Sequence, residues 1–486
     1  MYLTSLLDAD AVASDNSQEK PIVGLAADSR EIAPGFLFAA LPGANVDGVQ
    51  FVPQAIAAGA IAVLVGADAH VEVPSDVTVV RAKDPRRALS RIAAKFYHSQ
   101  PPTTVAVTGT SGKSSVAEFT RQLFAKLGRN AASLGTIGLV RSDGAQYGVL
   151  TTPDPIRLHA TLAEVARQGI THLAFEASSH GLQQRRLDGV KLAAGAFTNL
   201  GHDHLDYHPT IEDYLAAKLR LFTTLLEPGD TAVINADGAR SIDAIKAAES
   251  RRLKILTTGE TGETLRLLRV KREGFDQRLE VSYEARVYEI RLPLVGVYQA
   301  SNALVAAGLA IAAGEVPEAV LPALESLEGV VGRLQIVGEC NNGIAVVDYA
   351  HKPDALDAVL EALRPFATGR LICVFGCGGD RDQEKRPIMG RIATQKSDMV
   401  IITDDNPRTE DPAKVRDAIL RGAPGAKEIA DRGEAIAFCV NELGPGDVVV
   451  VAGKGHETGQ IVGDQVMPFS DQEAVLSAIA ARRLRG

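Results

Sequence analysis

The stretch Val105–Ser115 reads "VAVTGTSGKSS". An apolar run ends in a short Gly/Ser/Thr turn, and a lysine and two serines follow. A strand, a glycine turn and a helix opening at Lys-Ser form an anion site. The N–H groups of a helix's first turn point at the ligand, and the helix dipole favours negative charge there. In such a loop Lys113 reaches the β- and γ-phosphates of a nucleotide and the Ser114 hydroxyl meets Mg²⁺. The strict pattern G-x-x-x-x-G-K-[ST] fails, because Val107 stands where its first glycine belongs. What remains is a shorter loop, Gly109, Thr110, Ser111, Gly112, Lys113, Ser114 and Ser115. The competing reading is an ordinary strand-to-helix turn whose lysine reaches solvent.

The flanks favour the loop. "TVAVTG" (104–109) reads as a buried strand, and "KSSVAEFTRQLFAKLG" (113–128) as a helix with Val116, Phe119, Leu123 and Leu127 at helical spacing. Further buried strands are expected at "HLAFEA" (172–177) and "AAGAFTNL" (193–200). Near-continuous apolar strands alternating with helices argue for a parallel sheet covered on both faces. Upstream, "AIAAGAIAVLVG" reads as helix, glycine turn and strand, and the polar, proline-bearing "HSQPPTT" (98–104) as a linker. Downstream of "GRLQIVG" (332–338), strands at "IAVVDYA", "LICVFG", "MVIITDD" and "DVVVVAG" alternate with helical segments. They predict a second doubly wound, Rossmann-like domain. The expected fold class is therefore α/β in three domains, over residues 1–98, 99–332 and 333–486, with a phosphate-loop ATPase-type parallel sheet in the centre.

Composition bounds the function. The chain has 486 residues, 46% apolar and 23% charged, as in ordinary soluble proteins. A net charge of −9 argues against a nucleic-acid partner held by a broad basic surface. "MYLTSLLDAD" has no basic start and brings acids within its first ten residues, so no secretory signal is expected. The longest apolar run, "ALVAAGLAIAA" (303–313), is too short for a bilayer, so no membrane partner is expected. Cys340, Cys373, Cys377 and Cys439 show neither a disulfide framework nor zinc spacing. A reducing, cytoplasmic setting follows as the expectation.

A second cluster lies in "NLGHDHLDYHP" (199–209), where three of the ten histidines and two aspartates fall within seven residues. Imidazoles and carboxylates at a strand end suit a metal or a charged phosphate. A zinc hydrolase motif, H-x-H-x-D-H, is nearly matched by His202, His204, Asp206 and His208, but Tyr207 interrupts it. Such an enzyme has no need of a phosphate loop. "FGCGGD" (375–380) is not a dinucleotide fingerprint, because Arg381 holds the last glycine's place.

Taken together, "TGTSGKSS", "EASSHGL" (176–182), "TNLGHDHLDYH" (198–208), "GRLQ" (332–335), "DYAHKPDAL" (348–356) and "GKGHE" (453–457) resemble the Mur ligases. These are ATP-dependent amide-bond ligases of peptidoglycan precursor synthesis. "LTTPD" (150–154), "GGDRDQEKRP" (378–387) and "DNPR" (405–408) resemble the member that adds the third residue of the peptide. The resemblance implies a UDP-substrate-binding N-terminal domain, a central ATP-binding domain and an amino-acid-binding C-terminal domain. It implies that ATP phosphorylates the D-Glu side-chain carboxylate of UDP-N-acetylmuramoyl-L-Ala-D-Glu. The amine of meso-diaminopimelate then attacks the acyl phosphate. Mg²⁺ is the implied cofactor, the partners are small-molecule substrates, and a monomer is expected.

By the same resemblance Ser114 and Glu176 serve one Mg²⁺, and His204 and Lys218 a second. The family's lysine at position 218 is carbamylated; bare, Lys218 on "IEDYLAAKLRLF" (211–222) reads as a surface lysine. Asn302, Arg333 and Asp348 are the implied adenine and ribose contacts. Their plainer readings are a helix cap for Asn302 and an ion pair for the other two. Ser29 and the loop Gly43, Ala44, Asn45 and Val46 match the uridine site. Thr151, Thr152, Ser178, Gln184 and Arg186 complete the substrate pocket, while Arg185 reads as a solvated surface charge. For diaminopimelate, Arg408 and Arg381 supply cations to the distal carboxylate and Glu457 holds the distal ammonium. Asp405, Asn406, Pro407 and Gly453 shape the turns around them.

Overall fold

The run TTVAVT forms a strand, Thr103–Thr108, in which Val105, Ala106 and Val107 have no exposed surface. Apolar residues at consecutive positions are needed because both faces of this strand are covered. It lies parallel to His172–Glu176 on one side and Ala194–Phe197 on the other, with Val105 opposite both Ala174 and Ala194. Six of the parallel strands of this sheet run in the order 254–259, 231–235, 194–197, 103–108, 172–176 and 131–135. The chain therefore leaves its innermost strand in both directions. In open α/β sheets the crevice at such a reversal, beyond the carboxyl ends of the strands, is where ligands sit.

The computed structural model describes residues 1–14, 20–43, 46–146, 150–201, 203 and 207–484. The chain divides into two compact units, the first mainly Met1–Leu268 with Val281–Tyr288 and Asn302–Leu324, the second holding Arg269–Glu280, Glu289–Ser301 and the chain from Glu325.

Within the first unit a smaller sheet has the strand order 11–13, 78–82, 62–66, 36–39 and 24–26. Its edge strand Ala11–Ala13 is antiparallel and the other four are parallel. Helix Pro85–Tyr97 follows, started by Asp84, whose side chain accepts the Arg87 N–H. This helix packs on helix Pro155–Arg167 of the larger sheet. Ser90 Oγ donates to the Arg186 carbonyl (3.1 Å) and accepts the Gly189 N–H (3.1 Å). A glycine is required at 189, since a Cβ there would lie 2.5 Å from Ser90 O and 2.7 Å from His159 Nε2.

The second unit is a six-stranded sheet in the order 335–340, 343–348, 448–452, 371–375, 399–402 and 427–428. Val448–Ala452 is buried throughout and lies parallel to both neighbours. Arg432 and Asp471, neither with exposed side-chain surface, form a two-pronged pair at 2.7 and 2.8 Å behind it. The expected strands are all present, with ends shifted by a few residues. Asp404 and Asp405, placed in a strand by their apolar neighbours, fall in the loop after Met399–Ile402. No helix among the described residues is long and apolar enough to cross a membrane.

His159, on helix Pro155–Arg167, is 2% exposed and its Nε2 has no hydrogen-bond partner. Burial lowers its pKa to about 4. The unfolded chain, with an ordinary imidazole near 6.5, then binds the proton that the folded chain refuses. Stability is full above about pH 6.5 and falls by about 3 kcal/mol as the pH drops to 4. Thermal melts across this range are expected to show that slope, and His159→Leu is expected to flatten it.

Candidate active site

The loop after Thr103–Thr108 depends on two glycines. Gly109 has φ +145° and Gly112 φ +87°. A Cβ on Gly109 would lie 1.9 Å from Thr198 Oγ1, and one on Gly112 would lie 2.4 Å from Asn302 Oδ1. The segment after Ala194–Phe197 holds the loop in place. Thr110 N donates to Asn199 O (2.9 Å), Ser111 N to Asn199 Oδ1 (3.0 Å), and Thr198 Oγ1 to Ser111 O (2.6 Å). Thr110 Oγ1 accepts the Gly201 N–H (2.9 Å) and meets Tyr214 OH at 3.2 Å. Helix Lys113–Lys126 begins directly at Gly112, with no side chain capping it. Lys113 Nζ folds back to donate to the Gly109 (2.9 Å) and Thr110 (2.8 Å) carbonyls. Its reading as a lysine reaching solvent is thereby replaced. Ser114 and Ser115 are buried in the first turn.

Asn302 lies well inside helix Val297–Ala312 and is buried against Gly112, so it is no helix cap. Lys218, on helix Ile211–Arg220, is 1% exposed. Its Nζ donates to the Gly109 carbonyl at 2.6 Å and stands 4.2 Å from the centre of the Tyr214 ring. The plain sequence reading of Lys218 as a surface lysine is therefore wrong. The apolar face of this helix turns toward the sheet and takes Lys218 with it. Burial also pushes the Tyr214 phenol well above its ordinary range. His208 is buried, with Nε2 3.0 Å from Ser179 Oγ. His202, His204 and Asp206 lie outside the described residues.

Glu176 ends its strand with 2% exposure. Its carboxylate accepts Thr136 N (2.7 Å) and Thr136 Oγ1 (3.2 Å), and a Cβ on Gly135 would meet it at 2.2 Å. Thr136 Oγ1 contacts Thr151 Oγ1 at 3.1 Å. Thr152 Oγ1 donates to Glu176 O (2.9 Å) and meets Ser178 Oγ at 2.9 Å. Arg186 reaches the Thr152 carbonyl and Gln184 Oε1 (2.7 Å), and Gln184 Nε2 donates to Tyr207 OH (3.0 Å). The structure thus brings Thr151, Thr152, Glu176, Ser178, Gln184 and Arg186 into one cluster. Arg185, expected to be solvated, instead pairs with Asp84 at 2.9 Å. The oxygen donors Ser114 and Glu176 are of the type a hard divalent cation such as Mg²⁺ prefers.

In the smaller sheet, Ser29 is buried and donates to Gln54 Oε1 at 3.1 Å. Gly43 N donates to Val46 O at 3.0 Å, closing the loop beyond Phe36–Ala39. Ala44 and Asn45 lie outside the described residues.

In the second unit, Asp348 is buried and accepts the N–H groups of Leu334 and Ala350, both at 2.7 Å. Burial raises its pKa above the usual carboxylate range. The Arg333 guanidinium lies 4.7 Å from the centre of the Tyr349 ring. Asp405, Asn406 and Pro407 are buried in the turn after Met399–Ile402. Arg408 has φ +51°, and its guanidinium donates to Gly379 O at 2.8 Å. Exposed Arg381 lies beside the same glycine turn. Glu457 accepts Asn406 Nδ2 (2.9 Å) and Lys454 Nζ (3.0 Å). Gly453, at φ +120°, lets the chain pass Asp405, whose carboxylate a Cβ would meet at 2.5 Å.

Lys454 is the residue that sequence reasoning missed. It has no exposed surface and joins Asn406 Oδ1 to Glu457 Oε2, both at 3.0 Å. Its position inside "GKGHE" was the available signal.

Comparison with known proteins shows the family to which the chain belongs. Three family models match: "Mur ligase family, catalytic domain" over residues 21–97, "Mur ligase middle domain" over 107–310, and "Mur ligase, glutamate ligase domain" over 332–455. A UDP-N-acetylmuramoyl-L-alanyl-D-glutamate–2,6-diaminopimelate ligase of Bradyrhizobium diazoefficiens is 54% identical, over 99% of this chain and 100% of its own. The protein of that name from Agrobacterium fabrum is 55% identical, over 94% and 93% of the two chains. A solved structure of a ligase of the same name superposes with a TM-score of 0.70 at 34% identity, covering 95% of this chain and 96% of the other. The MurF ligase of Thermotoga maritima, solved with ADP, shares the fold at 19% identity and a TM-score of 0.62, covering 96% and 100%.

An alanine at 112 would carry its Cβ into Asn302 at a backbone angle that side chains rarely adopt. Gly112→Ala is expected to weaken ATP binding by about five- to 150-fold, as strain of 1–3 kcal/mol at this turn implies. Titration with a fluorescent ATP analogue measures this.

Proposed function

Because the chain belongs to the Mur ligase family, we propose that it joins meso-diaminopimelate to the D-Glu side-chain carboxylate of UDP-N-acetylmuramoyl-L-Ala-D-Glu, at the expense of ATP. The observation that carries this reading is a convergence. Lys113, Lys218 and Asn302, distant in sequence, all meet the loop of Gly109–Gly112.

The chemistry is stepwise. A carboxylate is a poor electrophile, so its oxygen first attacks the γ-phosphorus of ATP and ADP leaves. The diaminopimelate amine then attacks the acyl carbon, phosphate leaves, and the amine's proton passes to solvent. Lys113 and the N–H groups opening helix Lys113–Lys126 answer the negative charge on the transferring phosphoryl group. Ser114 and Glu176 would hold Mg²⁺, with His204 and carbamylated Lys218 at a second ion. When bound, Mg²⁺ screens the phosphates from the incoming carboxylate. Asn302, Arg333 and Asp348 take the nucleoside.

Ser29 and the loop of residues 43–46 take the uridine, while Thr151, Thr152, Ser178, Gln184 and Arg186 orient the peptide. Arg186 suits a carboxylate because its fork binds both oxygens. Arg408 and Arg381 receive the distal carboxylate of diaminopimelate, and Glu457 its distal ammonium. Asp405, Asn406, Pro407 and Gly453 shape that pocket. On this reading the three domains, 1–98, 99–332 and 333–486, bind the UDP substrate, ATP and the amino acid. The chain is then a cytoplasmic monomer with no nucleic-acid or membrane partner.

The decisive experiment measures phosphate release from Mg-ATP and the UDP-dipeptide, with meso-diaminopimelate or L-lysine in parallel. Turnover with diaminopimelate alone is expected, and Lys113→Ala is expected to abolish it. Turnover with lysine would overturn the roles given to Arg408 and Arg381.

The Lys218 ammonium is expected to lose a proton, and its neutral amine to attack CO₂, forming an N–C bond and releasing a second proton. Protein equilibrated with ¹³C-bicarbonate should show a carbamate carbon resonance that Lys218→Arg lacks. Its absence from the unsubstituted chain at neutral pH would rule the modification out.

A further inference from the structure

Asp188 carries no role in the reading above, yet its side chain is only 2% exposed. It accepts a forked pair from Arg220, with NH2 2.9 Å from Oδ2 and 3.2 Å from Oδ1, and Arg87 Nε stands 3.7 Å away. Arg220 also donates to the Leu182 carbonyl. These contacts join three elements. Arg220 ends the helix that carries Lys218, two residues earlier. Asp188 ends the short segment that carries Gln184 and Arg186. Arg87 belongs to helix Pro85–Tyr97 of the smaller sheet.

The segment itself is held in a costly shape. Arg185, between the two substrate-pocket residues, sits at φ +60°. A non-glycine residue persists there only where its surroundings fix it. Asp84 holds the Arg185 side chain at 2.9 Å, Ser90 holds the Arg186 carbonyl and the Gly189 N–H, and Arg220 holds Asp188. A continuous path then runs from Gly109 through Lys218 and Arg220 to Asp188, and from Arg186 through Thr152 to Glu176.

We infer that Asp188, gripped by Arg220, is a positioning residue that sets Arg186 and Gln184 against Lys218. It thereby fixes where the peptide carboxylates of the UDP-dipeptide lie relative to the phosphate loop. This inference rests on the proposed ligase reading. The pair touches no substrate and acts through Arg186. A displacement of about 1 Å at such a site is enough to cost up to 100-fold.

The test compares steady-state constants of the full chain with Mg-ATP, the UDP-dipeptide and meso-diaminopimelate. Asp188→Asn is expected to raise KM for the UDP-dipeptide about tenfold while KM for ATP stays within about twofold. Arg220→Met should reproduce this, and Arg220→Lys, which keeps the charge but not the fork, should restore part of it. A partly unfolded chain would raise KM for both substrates, so the unchanged KM for ATP separates positioning from a stability loss. If Asp188→Asn yields no folded protein, the two Arg220 variants carry the same measurement. A UDP-dipeptide KM within twofold of the unsubstituted chain in every variant would make the pair merely structural and overturn the inference. No turnover by the unsubstituted chain with these substrates would overturn the ligase reading and the inference with it.

Discussion

Two lysine ammonium groups meet one carbonyl oxygen, and the candidate site is organised around that meeting. Lys113 Nζ lies 2.9 Å and Lys218 Nζ 2.6 Å from Gly109 O. Each is drawn to the oxygen and repelled by the other. Two cations this close suit an anion. On the proposed reading a nucleotide phosphate answers Lys113, and a carbamate reverses the charge of Lys218. The arrangement needs Gly109 at φ +145°, because any side chain there would strike Thr198. It also needs the sheet order that puts Ala194–Phe197 beside Thr103–Thr108, since Thr198 and Asn199 hold the loop. Loop, neighbouring strand and lysine helix are thus one mechanical unit.

The parts of this that were legible in the sequence are those written in local pattern. Consecutive apolar residues at 105–107 imply a strand covered on both faces, and Val116, Phe119 and Leu123 imply the helix that packs on it. Both are present. Resemblance of the surrounding motifs singled out Glu176, Asn406 and Glu457 without any knowledge of what surrounds them in space. Environments set by distant elements were not legible. Lys218 looks solvated from its helix alone, and only the Gly109 turn, over a hundred residues earlier, makes it a buried donor. Asn302 looks like a cap until its helix proves to begin at Val297. Arg185 looks like surface charge until Asp84 arrives from the smaller sheet.

Lys454 shows the same limit in the second unit, and on the proposed reading it prepares Glu457 for a ligand. A buried lysine between a carboxylate and an amide finds acceptors for two of its three donors and balances the carboxylate's charge. Asn406 takes part from both ends, giving Nδ2 to Glu457 while its Oδ1 accepts from Lys454 and from the Ile461 N–H. Both contacts from Lys454 and Asn406 fall on one oxygen, Glu457 Oε2. A carboxylate has about four lone-pair positions, so Oε1 keeps its capacity to accept from an incoming ammonium.

The same reasoning separates recognition from charge at this site. Arg408 spends one nitrogen on Gly379 O and is held at φ +51° by backbone contacts of its N–H with Ile461 O (3.0 Å) and of its carbonyl with Gly463 N (2.7 Å). Its guanidinium is therefore aimed before any ligand arrives, and its remaining donors form a fork of fixed direction. A substrate with an ammonium alone could satisfy Glu457 but would leave that fork unanswered. One carrying carboxylate and ammonium on the same distal carbon could answer both. On the proposed reading, preference for such a ligand comes from two oppositely charged groups, each held by its protein neighbours, and not from the net charge of the pocket.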